Sequence, residues 1–117
     1  MTAVGGRSGV VIDCHDCDRL ALFWSSVLGG TPERESEEWV CVRMPDGSTL
    51  VSFQRVPEPK TVKNRVHLDI TAQDLEFAAA RCVELGATQL TGRRGDELGD
   101  FIVLADPEGN EFCVVTG

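Results

Sequence analysis

Two halves of this sequence run through the same order of elements, and a repeat on that scale narrows the architecture before any motif is weighed. Val10-Val11-Ile12 is a β-branched run that ends in the polar cluster Asp13 to Asp18. Leu20, Phe23, Trp24, Val27 and Leu28 then recur at three- and four-residue steps, the period of a helix with one apolar face. Leu28-Gly29-Gly30 ends it, because glycine takes the left-handed conformation that stops a helix. Trp39–Met44 and Thr49–Val56 read as strands, joined into a hairpin at Pro45-Asp46-Gly47-Ser48.

The second half repeats the order about sixty residues on. Val66-His67-Leu68-Asp69-Ile70 alternates as a strand, and Asp74 stands where a helix N-cap belongs. Leu75, Phe77, Ala78, Cys82, Val83 and Leu85 supply a helical apolar face, closed by Gly86. Gln89-Leu90 reads as a short strand, Phe101–Ala105 as a better one, and Phe112–Val115 as the last, after the turn Asp106-Pro107-Glu108-Gly109-Asn110. Proline fixes φ and has no amide hydrogen, so Pro57-Glu58-Pro59-Lys60 reads as a connector. The expected organisation is one domain over 1–117: module 1 at about 9–56, a connector at 57–62 and module 2 at about 63–116. The loop Thr91–Gly99, rich in glycine and charge, is expected to be the most mobile internal segment.

A half of about sixty residues buries too little surface to be secure alone, so the two are expected to pack together. Each sheet then covers one face with its helix and turns the other toward a shared concavity, the usual place for a small ligand. Lys and Arg total 11 against 19 Asp and Glu, a net charge of −8. That field repels phosphate backbones and anionic lipid, so the reading excludes nucleic-acid and membrane partners and favours a cationic ligand. No apolar run approaches the ~20 residues that span a bilayer, and Met1 to Gly9 carry no apolar leader. The chain is therefore expected in the cytoplasm. Its five irregularly spaced cysteines suit small apolar core positions better than a disulfide framework.

His67 is the leading candidate for chemistry. In a regular strand it shares a face with Arg65, Asp69 and Thr71, while Val66, Leu68 and Ile70 pack on the helix. With Asp69 beside it, His67 reads as a neutral general base; the competing reading is a hydrogen-bonded structural histidine. Asp13 occupies the matching face of the first strand. Ser52 with Gln54, and Trp39 with Cys41 and Arg43, share faces of their strands, so Asp13, Trp39, Arg43, Ser52 and Gln54 are candidate substrate contacts. Cys14-His15-Asp16-Cys17 has redox or zinc-half-site spacing, but no second ligand pair follows. Asp13, Asp16 and Asp18 would raise a thiol pKa, so the preferred reading is a solvated loop with His15 at the surface. No phosphate-binding glycine loop, dinucleotide fingerprint or nucleophile elbow is present.

Three segments carry a family likeness: Asp16-x-x-x-Leu20-Ala21-x-Phe23-Trp24-x-x-x-Leu28-Gly29, Arg65-Val66-His67-Leu68-Asp69-Ile70, and Ala105-Asp106-Pro107-Glu108-Gly109-Asn110-Glu111-Phe112-Cys113. Together they resemble the glyoxalase/bleomycin-resistance, or vicinal oxygen chelate, superfamily over about Gly9 to Val115. The resemblance implies an α+β fold of tandem βαβββ modules with curved mixed sheets around a cavity, and a homodimer. It also implies a divalent ion held by His and Glu side chains from both modules. Carried over singly, those positions are Gly9, Val51 or Ser52, His67 and Cys113, with Glu111 two residues before the last. One matching ligand in four argues for no metal and no cofactor; His67, Glu111 and Cys113 stay open as a rearranged set.

The implied function is to act on, or bind, a small organic molecule without the usual metal. His67 is the candidate catalytic group, and Asp69, Glu111 and Cys113 join the candidate contacts. The alternative from a different class is non-catalytic sequestration of a cationic molecule in an acidic dimer groove, as in bleomycin-resistance proteins. The resemblance permits a cavity within one chain or across a swapped dimer.

Overall fold

A computed structural model describes residues 2–6 and 8–116. The chain divides into two compact units between Glu58 and Pro59.

The first unit runs β1 (Val10–Cys14), α1 (Cys17–Leu28), β2 (Thr31–Ser36), β3 (Trp39–Arg43) and β4 (Val51–Arg55). Asp16 caps α1 by accepting a hydrogen bond from the Arg19 amide at 3.0 Å, satisfying one of the helix's orphan donors. Gly29, at φ 79°, closes the far end with its amide on the Ser25 carbonyl. The helix buries Leu20, Ala21, Phe23 and Trp24, and the two aromatic rings meet edge to face at 5.2 Å. Val40, Val42 and Phe53 are buried on the sheet. Each large apolar side chain removed from water contributes roughly 1.5–3 kcal/mol.

The second unit runs β5 (Leu68–Thr71), α2 (Leu75–Leu85), β6 (Thr88–Gln89), β7 (Arg94–Asp96), β8 (Gly99–Ala105) and β9 (Glu111–Val115). Asp74 caps α2 through the Phe77 amide at 3.0 Å. Leu75, Ala79, Cys82, Ile102, Leu104, Phe112 and Val114 form this unit's core. In the β8–β9 turn the buried Asp106 carboxylate accepts from the Glu108 and Asn110 amides, so it holds the turn, as its proline and glycine neighbours imply.

The sheets share one topology. The first is ordered β1-β4-β3-β2 and the second β5-β9-β8-β6, with β7 added on β8. β1 lies parallel to β4 and β5 to β9, and the other pairs are antiparallel. The expected tandem α+β modules with mixed sheets are therefore present.

Several local expectations change. β2 is a six-residue strand with every residue exposed, so it shows no apolar alternation. β7 lies inside the loop expected to be mobile, and β6 ends at Gln89, without Leu90. β5 starts at Leu68, leaving Arg65, Val66 and His67 ahead of the strand. Val66 and Phe77 are 76% and 70% exposed and Val83 is also exposed, so none of the three packs in the core. Among the described residues, no helix is long and apolar enough to cross a membrane.

Candidate functional site

The second unit gathers the strongest chemistry. β5 and β9 run parallel with Asp69 directly opposite Cys113. His67 lies just before β5, yet its Nε2 stands 3.2 Å from Asp69 Oδ1. One donor atom each from His67, Asp69 and Cys113 falls within 4.8 Å of the others. His67 and Asp69 are about half exposed, at 54% and 58% of their side chains. All three line a cavity of about 460 Å³ whose walls include Lys63, Phe101 and Val103. Its apolar wall follows from strand alternation: Ile102 and Leu104 are buried under the sheet, while Phe101 and Val103 face the other way.

Glu111 lines the same cavity, but its carboxylate accepts from Lys63 Nζ at 2.6 Å and from the Asn64 amide at 3.1 Å. Those two donors hold it below the usual carboxylate range. Glu111 therefore does not join the His67–Cys113 pair, and Asp69 takes the place expected of it. Burial pushes the Cys113 thiol up, the negative charges of Asp69 and Glu111 push it further, and Lys63 opposes. A raised thiol stays protonated near neutrality and is a poor nucleophile.

The candidates of the first unit lie on its own sheet. Asp13 and Gln54 pair across β1 and β4 and are both exposed. Trp39, half-buried, pairs with Gln54 across β3 and β4. Ser52 is buried at 8% exposure, opposite Val11 and Cys41. Arg43 is clamped by both carboxylate oxygens of Glu33, with a further bond to the Gly47 carbonyl. None of these five lines the second unit's cavity, nor the first unit's own cavity of about 460 Å³, walled by His15, Glu38, Arg55, Val56 and Pro57.

Sequence reasoning missed Lys63, Phe101 and Val103 as lining residues. The alternation of Phe101–Ala105 was the available signal for the last two; nothing local marks Lys63.

Cys14-x-x-Cys17 is not a solvated loop. Cys14 ends β1, Cys17 opens α1, and both are buried at 3% and 5% exposure, with Cys14 Sγ 3.4 Å from Cys17 Sγ. His15 remains exposed, with Nε2 3.0 Å from the Pro57 carbonyl.

The positions that the family resemblance assigns to a divalent ion do not supply its His and Glu ligands, His67 apart. A Cβ at Gly9 would lie 3.0 Å from the Leu50 carbonyl oxygen, so backbone stands where a ligand side chain is expected. Val51 offers hydrocarbon and Ser52 a neutral hydroxyl. His67, Asp69 and Cys113 offer one nitrogen, one oxygen and one sulfur within 4.8 Å of one another, a rearranged set that suits a borderline ion such as zinc and not an oxygen-seeking hard ion. No chemical step below runs through a metal.

The model of a protein family described as "Glyoxalase-like domain" matches residues 9–115. No curated protein matches the sequence. Among solved structures, a glyoxalase/bleomycin resistance protein/dioxygenase family enzyme from Burkholderia phytofirmans PsJN superposes with a TM-score of 0.79 at 18% identity, covering 96% of this chain and 98% of that one. The fosfomycin resistance protein FosX from Listeria monocytogenes gives 0.76 at 13% identity, covering 98% and 95%. A glyoxalase/bleomycin resistance protein from Albidiferax ferrireducens T118 gives 0.69 at 21% identity, covering 94% and 97%.

Proposed function

The chain belongs to the glyoxalase-like domain family of the vicinal oxygen chelate superfamily, and from that premise we propose that its second unit binds and transforms a small organic molecule by acid–base chemistry at His67. The observation that carries this reading is the convergence of His67, Asp69 and Cys113 on the wall of a cavity large enough for such a molecule. The Asp69 carboxylate beside Nε2 favours the ring tautomer with its proton there, which leaves Nδ1 as the basic nitrogen. Nδ1 takes a proton from the substrate, and Asp69 stabilises the imidazolium that forms. Phe101 and Val103 receive the apolar body of the substrate, and the protonated Cys113 offers a weak donor to its polar end. In this reading the protein works in the cytoplasm as a homodimer, and the chemistry needs no resident divalent ion.

One observation favours a second reading. Asp69, Asp96, Asp100 and Glu111 outnumber Lys63 among the charged groups of the cavity wall, which suits non-catalytic capture of a cationic molecule. A thermal-shift screen against small oxoacids and cationic glycopeptides, followed by turnover assays on every hit, separates the two. The first reading expects turnover that is lost in His67→Ala; a His67→Ala variant with full activity overturns it. Capture expects a large shift, no turnover, and weaker binding in Asp69→Asn. Elemental analysis of protein purified without chelator tests the metal-free premise, which a stoichiometric ion lost on His67→Ala would remove.

A further inference from the structure

We propose that Cys14 and Cys17 form a dithiol site, separate from the cavity of the second unit, that closes to a disulfide by exchange with a low-molecular-weight disulfide such as oxidised glutathione. The spacing places one thiol at the end of β1 and the other in the first turn of α1. Their sulfurs are already in contact at 3.4 Å, and the Cys14 S–H donates to Cys17 Sγ. A disulfide sets sulfurs ~2.05 Å apart, so closure brings the two sulfurs together by little more than an ångström.

Two features assign the attacking role to Cys17. It accepts the S–H of Cys14, and its Sγ faces the carbonyl of Glu38, a residue of the first unit's cavity wall. The Cys14 and Cys17 thiols also face the Gln54 and Glu38 carbonyls at 3.7 and 3.8 Å. Glu38, whose carbonyl faces Cys17, lines the first unit's cavity, and because both thiols are themselves buried, reaction with a small disulfide requires a local opening of this junction.

The exchange balances. The Cys17 thiolate attacks one sulfur of the small disulfide, forming a mixed disulfide and expelling one thiolate. Cys14 loses its proton to solvent and attacks Cys17 Sγ; the Cys14–Cys17 bond forms as the mixed bond breaks and the second thiol leaves. The protein gives up two protons and two electrons, and the small disulfide becomes two thiols.

The test uses the native full-length protein with Cys113→Ser, which removes the half-exposed competing thiol. After equilibration with oxidised glutathione, remaining thiols are alkylated in denaturant and the digest is mapped by mass. The expected product is a peptide containing Cys14 and Cys17 that is lighter by two hydrogens, resists alkylation, and reopens with dithiothreitol. Adding Cys14→Ser should trap a glutathionyl group on Cys17. Full alkylation of both cysteines after equilibration overturns the proposal, as does a bridge from either one to Cys41 or Cys82. If the double variant fails to fold, the mapping on the Cys113→Ser protein decides alone.

Discussion

The two sheets carry the same ladder and different chemistry. In the first unit Ser52 pairs with Val11 on β1 and Cys41 on β3; in the second, Cys113 pairs with Asp69 on β5 and Val103 on β8. Val11 thus stands where Asp69 stands, Ser52 where Cys113 stands, and Gly9 where His67 stands. Cys41 and Ser52 are buried, whereas Val103 and Cys113 are half-open to a cavity. On the first sheet Arg43 is spent on Glu33. The two units share the backbone frame that apolar burial enforces and differ in the side chains on the second face.

If acid–base chemistry belongs to the second unit's cavity alone, substitutions of polar groups on the two sheets must behave unequally, and matched substitutions in the two cores equally. The largest effect is expected from His67→Ala, which should lower kcat/KM by about 10²- to 10⁴-fold, the range for loss of a positioned general base. Asp13→Asn, on the first unit's exposed face, should stay within about twofold by the same measure, since Asp13 lines neither cavity. Parallel assays on a substrate found by the screen check both; equal losses would erase the asymmetry. Core truncation should instead be symmetric. Leu20 and Leu75 are both 0% exposed, one under each sheet. Leu20→Ala and Leu75→Ala should each cost about 2–5 kcal/mol in urea unfolding.

The same division explains what could be read from the chain. α1, α2, the Asp74 cap and the two hairpin turns are visible because burial, capping and turn chemistry each demand particular residue types, whereas the Asp16 cap emerges only from the structure. β2 escapes because an exposed edge strand is held by backbone hydrogen bonds to β3, which place little demand on side-chain type, and it even carries Pro32. β7 escapes for the same reason. At the site, His67 and Asp69 are legible as a polar row, Cys113 enters only through the family resemblance, and alternation along the last strand predicts that Glu111 joins them. Lys63 and the Asn64 amide draw Glu111 away, and a pairing across 47 to 48 residues leaves no local trace. Phe77 was assigned to the core by hydrophobicity, whereas the buried stripe of α2 follows the helical spacing of Leu75, Ala79 and Cys82.

Smaller effects sharpen the comparison at the helix starts. Asp16 and Asp74 make the same bond, a carboxylate oxygen accepting the amide three residues on at 3.0 Å. Asp16→Ala and Asp74→Ala should each cost about 1 kcal/mol by chemical denaturation, with Asn at either position retaining most of it. A clearly larger loss at Asp16 would show that the cap also holds the Cys14–Cys17 junction, for which α2 has no counterpart.

The smallest expected effect concerns Glu111 and depends on pH. Lys63 and the Asn64 amide favour its ionised form, so its folded pKa lies below its ordinary value. The sign follows by linkage: the contribution is fully present above the ordinary value and is lost as pH falls through the lowered folded value. The melting temperature of the protein should therefore exceed that of Glu111→Gln near neutrality, and the gap should close in strong acid. Lys63 is 78% exposed, so added salt should shrink its share of the gap. The Asn64 contribution, a direct hydrogen bond, should survive salt. A gap that persists unchanged into strong acid would mean that Glu111 acts through packing of its side chain, and the second unit would then lose the charge pair that keeps this carboxylate apart from His67 and Cys113.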